Sequence, residues 1–190
     1  VAQILGAVGR DDIPVGYGKD APLEGSNAFP DPWREASDIF WDLSIPQVVS
    51  AVSPVPAVAL MADIIAQSEE PVTIFLSGSH TNLAEALRLD PGIAANIQDV
   101  FIMGGSANVP GNIHSDWPEL DNEVAEWNIW VDPLAAQEVF ASGFPLHLVP
   151  LDATRQVVWT RKDIQTWKSA SSPEGEFAGD ILKWMLDNWS

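Results

Sequence analysis

Three short runs constrain this chain's fold more than any other feature: Val72–Leu76 (VTIFL), Val100–Met103 (VFIM) and Leu146–Leu151 (LHLVPL). Each is of strand length, uncharged and mostly apolar, the composition of a strand buried on both faces. Between them lie segments whose apolar residues recur at helical spacing. Pro56 can open a helix with Ala57, Leu60, Met61, Ile64 and Ile65 on one face. Leu83, Ala86 and Leu87 mark a second helix, and Ala136, Val139 and Phe140 mark a third that starts at Asp132-Pro133. This alternation predicts an α/β fold, an open and mainly parallel sheet with helices on both faces and right-handed crossovers. In such sheets ligands bind in the crevice at the carboxyl ends of the strands, so functional residues are expected just after VTIFL and VFIM.

The flanks are less regular. The opening VAQILGAVGR reads as the end of a helix that stops near Gly9, and Asp12–Gly16 (DIPVG) as a short strand. Gly18 to Trp33 is rich in Gly, Pro and Asp, has no periodicity, and is expected to be a long loop. A last helix from Ser172-Pro173, roughly Glu174 to Trp189, would bury Phe177, Ile181, Trp184 and Met185. Both ends look cut, so residues 1–190 read as the central part of a single domain, incomplete at each end.

Composition narrows the chemistry. With 46% hydrophobic and 19% charged residues the chain can bury one substantial core. A formal charge of −18, from 27 acidic against 9 basic residues, repels phosphate backbones and anionic lipids, so no nucleic acid or membrane partner is expected. Such a field suits a divalent cation on oxygen ligands, although acidic surfaces chiefly confer solubility. The absence of cysteine removes disulfides, zinc thiolates and thiol nucleophiles. No run approaches the roughly 18 apolar residues of a membrane span, and Val1–Arg10 lacks the pattern of a secretory signal, so a cytoplasmic protein is expected.

The loop after VFIM, MGGSANVPGNIHSDWPELDNEVAEWNIWVDP, gathers Asn108, Asn112, Glu126 and Asn128 where the fold rule places a ligand. Sugar hydroxyls donate and accept at once. Amides answer in both senses, and a carboxylate accepts strongly. Asn and Asp in a Gly/Pro-rich loop are also ordinary turn formers, and composition alone leaves the two readings open.

Five ordered blocks go further: SGSHTNLAEALRLDPGI, VFIMGG, VPGN, AEWNIWVDPLAAQEVF and PLHLVPLDAT. Together they resemble the signature of the inosine-uridine-preferring nucleoside hydrolases, calcium-dependent enzymes of Rossmann-like fold. Upstream, GRDDIPVGYGKDAPL and FPDPWREASDIFWD are similar to the family's early segment. The resemblance implies cleavage of the N-glycosidic bond of purine or pyrimidine ribonucleosides to free base and ribose, with a calcium-activated water. It implies that Asn112, Glu126 and Asn128 hold the ribose hydroxyls, that Met103 lies beside the sugar, and that the Ser77 backbone carbonyl binds Ca2+. It also implies a small-molecule nucleoside as partner and a homo-oligomer, dimer or tetramer. The family's DTDxxxDD cluster, with the general base, would precede Val1, and its last metal-binding aspartate would follow Ser190. A family member that has lost catalysis and serves as a sugar-binding or structural module is the alternative.

The sequence departs from the family pattern in two places. The family's TGPLTN turn reads SGSHTN here, with Ser77 at the carbonyl position and His80 in place of Leu, the latter expected to be an ordinary loop histidine. The stretch from Asn112 to Glu126 is lengthened by residues including Asp116, Glu119 and Asp121, which read as solvated loop charges. Trp33, Trp117 and Trp127 are candidates to wall a nucleobase pocket, and Asp152 is expected to order the end of its strand rather than act as a base.

Overall fold

The structure, a computed structural model, describes residues 1–43 and 54–188. In chain order its elements are α1 (Ala2–Ala7), β1 (Gly16–Tyr17), α2 (Asp31–Asp38), β2 (Val55–Pro56), α3 (Ala57–Gln67), β3 (Val72–Leu76), α4 (Thr81–Leu89) and β4 (Ile97–Met103). They continue with α5 (Ile113–Asp116), α6 (Trp127–Trp130), α7 (Pro133–Phe140), β5 (Leu146–Val149), α8 (Leu151–Thr154), α9 (Arg161–Lys168) and α10 (Pro173–Asn188). The chain divides into two compact units. The larger comprises Gly16–Pro30 and Val55–Gln156, the smaller Val1–Val15, Asp31–Pro54 and Val157–Ser190.

In the larger unit β3, β4 and β5 form an open sheet in that order, and both pairings are parallel, as the alternation of strands and helices predicts. Ile74 aligns with Val100, and Val100 with Leu146; one step on, Leu76 aligns with Ile102. These side chains share one face, where Ala62 and Ile65 of α3, Leu83 and Ala86 of α4, and Val139 of α7 complete a continuous core. The opposite face carries Phe75, 67% exposed, with Phe101 and His147, also exposed. Helices thus cover one face of this sheet among the described residues, and its strands carry more apolar surface than a one-sided sheet needs.

Several element boundaries shift for identifiable reasons. β4 begins at Ile97, three residues before the VFIM run, because Gln98 and Asp99 sit where polarity is tolerated and Asp99 pairs with Thr73. β5 stops at Val149, since Pro150 has no N–H for the ladder and Leu151 opens α8. The strand expected at Asp12–Gly16 is only Gly16–Tyr17, paired in parallel with Val55–Pro56. Asp31-Pro32 starts α2 inside the stretch expected to be loop. In α3 the buried residues are Ala57, Ala62 and Ile65, and Ile64 is 45% exposed, a correction to the expected face. That helix is apolar nearly all round, so its sequence does not single out one side. Phe140 of α7 likewise faces outward.

In the smaller unit α1 ends where expected, with Gly9 at a positive φ of 71°. Thr160 and Asp163 form a reciprocal cap at the start of α9. The packing of α10 differs from its apolar pattern: Gly175, Gly179 and Leu182 are buried, Phe177, Ile181 and Trp184 half-buried, and Met185 exposed. The glycines lie against Trp167 and Lys168 of α9, and Phe177 and Trp184 instead meet the rings of Phe40 and Trp41. Trp189, expected to end this helix, lies outside the described residues.

Candidate functional site

The carboxyl ends of β3 and β4 lie side by side in the parallel sheet, and α6 is anchored across both. Asn128, in the first turn of α6 and 8% exposed, makes this connection. Its side-chain Nδ2 donates to the Met103 carbonyl at 3.0 Å and to the Ser77 carbonyl at 3.4 Å, and lies 3.1 Å from Met103 Sδ. Both amide hydrogens are therefore spent on strand ends, and Oδ1 remains an acceptor.

Glu126, 3% exposed, occupies the N-cap of α6. Its Oε2 accepts from the Ile129 backbone N–H at 3.2 Å and from the Gly105 N–H at 3.0 Å. The second bond needs the turn after β4 to bend sharply, and Gly105 supplies this with φ of 75°. One carboxylate oxygen is thus consumed by structure, and Oε1 is left over.

Asn112 comes to the same place through the loop that joins β4 to α6. The two legs of that loop are paired: Gly111 N–H donates to the Glu123 carbonyl, Asn112 N–H to Ala125, and His114 N–H to Asn122. Asn122 Oδ1 accepts from the N–H groups of Val124 and Ala125 and tightens the return leg. At Gly111 the legs approach so closely that a Cβ would sit 2.1 Å from the Ala125 carbonyl oxygen. Asn112 Oδ1 then accepts from the Trp127 N–H at 3.2 Å, leaving Nδ2 as a donor. Asn112, Glu126, Asn128, Met103 and the Ser77 carbonyl are thereby connected through α6 and the two strand ends. Three side chains each hold the fold with one polar atom and keep another without a partner among the described residues: Asn112 Nδ2, Glu126 Oε1 and Asn128 Oδ1. A donor and two acceptors, one of them anionic, form a set suited to a polyol.

This arrangement at the strand ends coincides with an unbroken match along the chain: the sequence profile described as "inosine-uridine preferring nucleoside hydrolase" covers residues 1–190. The chain belongs to the inosine-uridine preferring nucleoside hydrolase family. It is 34% identical over 184 residues to the pyrimidine-specific ribonucleoside hydrolase RihA of Shewanella woodyi, covering 97% of this chain and 56% of that protein. The Klebsiella pneumoniae RihA is 33% identical over 186 residues, covering 98% and 57%. Among solved structures, the inosine-uridine preferring nucleoside hydrolase from Bacillus anthracis superposes with a TM-score of 0.70 at 30% identity, over 90% of this chain and 56% of that one. A purine-preferring ribonucleoside hydrolase from Gardnerella vaginalis does so with a TM-score of 0.78 at 26% identity, over 98% and 56%. The chain thus spans a little over half the length of these nucleoside hydrolases.

Other candidates fare differently within the nucleoside hydrolase frame. Trp127 is 4% exposed, stacks on Phe29 at 5.6 Å, meets Trp130 edge-on, and donates its indole N–H to Asp116. It is core, which corrects its candidacy as a pocket wall. Trp117 is half-buried in the loop between α5 and α6, and Trp33 lies on α2 of the smaller unit. Asp152 accepts from the N–H groups of Ala107 and Asn108 at 2.9 and 2.8 Å; these bonds hold its carboxyl below the usual carboxylate range, so it is a poor proton acceptor. No group of three or more His, Asp or Glu side chains able to hold a metal occurs among the described residues, and none of their helices is long and apolar enough to cross a membrane.

Three residues matter more than their sequence context suggests. Asp132, read only as a helix start, is fully buried and accepts from Thr81 Oγ1 at 2.6 Å, the Leu23 N–H at 2.9 Å and the Ala135 N–H at 3.1 Å. It ties the Gly18–Pro30 stretch to the starts of α4 and α7. Arg155 donates to the carbonyls of Pro110 and Gly111. His80 is fully buried, and neither ring nitrogen has a hydrogen-bond partner among the described residues. Burial lowers its pKa, outweighing the pull of the Asn128 backbone and the Asp132 carboxylate in the other direction. Nothing in the SGSHTN string distinguishes a surface from an interior histidine.

Proposed function

We propose that the whole protein hydrolyses the N-glycosidic bond of purine or pyrimidine ribonucleosides, releasing free base and ribose, and that this chain is the central part of its single hydrolase domain. The observation that carries this reading is the set of spare polar atoms on Asn112, Glu126 and Asn128, gathered by α6 at the strand ends of a chain with this family membership. In this reading Asn112 Nδ2 donates to one ribose hydroxyl, Glu126 Oε1 and Asn128 Oδ1 accept from its neighbours, and Met103 packs beside the sugar. Their other atoms are tied to backbone groups, so the sugar would meet a preorganised surface, with little side-chain freedom to lose on binding. As the base departs, positive charge develops on the ribosyl ring, and the Glu126 carboxylate would offset part of it.

A divalent metal, Ca2+ in our proposal, would take the Ser77 carbonyl as one ligand. That residue fits: it is exposed at the end of β3, and among the described residues its carbonyl is engaged only by the long 3.4 Å bond from Asn128. Bound calcium would supply an acidified water, and the family's aspartates outside this chain would complete its coordination. The proposal extends to a homo-oligomeric assembly, dimer or tetramer, which light scattering would measure.

The test is incubation of the full-length protein with inosine and with uridine, with calcium and with a chelator, reading free base and ribose. Calcium-dependent release from either supports hydrolysis. Absence of release from any nucleoside refutes it, and ribose or nucleoside binding without turnover would instead identify a sugar-binding module.

A further inference from the structure

The turn from Ala107 to Gly111, between β4 and the first ribose candidate, is held from one side by α8. Asp152, in the first turn of α8, accepts from two successive N–H groups, those of Ala107 and Asn108. Three residues on, Arg155 donates through Nη1 to the Pro110 carbonyl at 2.9 Å and through Nη2 to the Gly111 carbonyl at 3.0 Å. The acid holds the donors at one end of the segment and the base holds the acceptors at the other. Charge-assisted bonds of this kind are about twice as strong as neutral ones, and the guanidinium fork fixes direction as well as distance. Position 110 is a proline and position 111 a glycine, so this stretch has little side-chain packing of its own to fix it. The next residue is Asn112, whose Oδ1 must reach the Trp127 N–H for its Nδ2 to be presented.

We infer that Arg155, assisted by Asp152, is a positioning residue for substrate binding: it sets the backbone just before Asn112 and so determines where that side chain meets the sugar. The inference rests on the ribose role proposed above for Asn112. It also accounts for how this site accommodates a lengthened loop. The carbonyls of Pro110 and Gly111 are gripped by Arg155, and from Gly111 onward the N–H groups pair with the return leg, so Asn112 is held from both sides.

The experiment is a double-mutant cycle in the full-length enzyme combining Arg155→Met, which keeps the aliphatic stem, with Asn112→Ala. Both would be read as kcat/KM on a ribonucleoside and on its 2′-deoxy and 3′-deoxy counterparts. Arg155→Met alone should lower kcat/KM on the ribonucleoside by about 10-fold, and in the Asn112→Ala background it should lower it by less than about twofold. It should also reduce discrimination against the same deoxynucleoside that Asn112→Ala ceases to discriminate, a readout that general loosening of the fold would not move. Arg155→Lys, which keeps one donor group, should recover part of the activity, and it replaces Arg155→Met in the cycle if the latter does not fold. Multiplicative losses, or unchanged discrimination, overturn the inference while leaving the proposed activity intact. A wild-type protein that hydrolyses no nucleoside overturns the proposed function itself.

Discussion

Replacing His80 with leucine should stabilise the full-length protein, and by more in acid than in mild alkali. The imidazole is wholly buried, and its two nitrogens have no hydrogen-bond partner among the described residues. A buried polar group without a partner costs about 1–3 kcal/mol. Leucine is close in volume, fits beside Phe140, whose ring centre lies 6.0 Å from the imidazole's, and brings no polar atom. The gain near pH 8 should therefore be about 1–3 kcal/mol. Acid adds a second contribution. The folded pKa lies below the ordinary value of 6.5, so as pH falls through 6.5 the unfolded chain takes up the proton first. The wild-type protein thus keeps this residue's full contribution above that value and loses stability as pH falls from there toward the folded pKa, at no more than about 1.4 kcal/mol per pH unit for one proton. The leucine variant lacks that loss. Urea unfolding of both proteins at about pH 8 and about pH 5.5 measures the difference, and subtraction removes the shared titration of the many carboxylates. A variant less stable than wild type at both values, or a difference that does not widen in acid, would refute the reasoning.

Three further outcomes follow from the site. Asn128→Ala removes the tie between the Met103 and Ser77 carbonyls together with a proposed ribose contact; kcat/KM on the ribonucleoside should fall by roughly one to two orders of magnitude, and unchanged kinetics would contradict the role. Asp132→Ala leaves the buried hydroxyl of Thr81 and two backbone N–H groups without their acceptor, so thermal denaturation should show a loss of several kcal/mol, at about 1–3 per orphaned group. Gly111→Ala places a methyl group 2.1 Å from the Ala125 carbonyl oxygen; forcing the two legs apart should cost about 1–3 kcal/mol of stability and weaken substrate binding, measurable as a higher KM.

What the sequence made legible, and what it hid, divides along physical lines. The strands β3, β4 and β5 announced themselves because a run of apolar residues between turns has few other uses, and parallel pairing followed from the helices between them. Asn112, Glu126 and Asn128 could be placed at strand ends by the same rule, but not their division of labour, because which amide or carboxylate atom is spent on backbone depends on three-dimensional contacts. Asp132 was visible as a helix cap, since that contact is local; its bond to Leu23, 109 residues away, was not. Arg155 was hidden for the same reason, its carbonyl partners lying 45 and 44 residues upstream. The inward faces of α3 and α10 were misplaced because one helix is apolar nearly all round and the other packs through glycines, which carry no hydrophobic signal.

The paired legs of the loop between β4 and α6 have a practical consequence. Because Gly111–His114 and Asn122–Ala125 are zipped together at its base, the lobe beyond them hangs from a closed stem. Asp116, bonded to the Asn112 carbonyl and to the Trp127 indole, ties the near part of the lobe to the site, so a change of length is best absorbed beyond it, at exposed Glu119 and its neighbour Pro118. That tip is therefore a port for grafting a peptide or a fluorophore near the proposed ribose contacts.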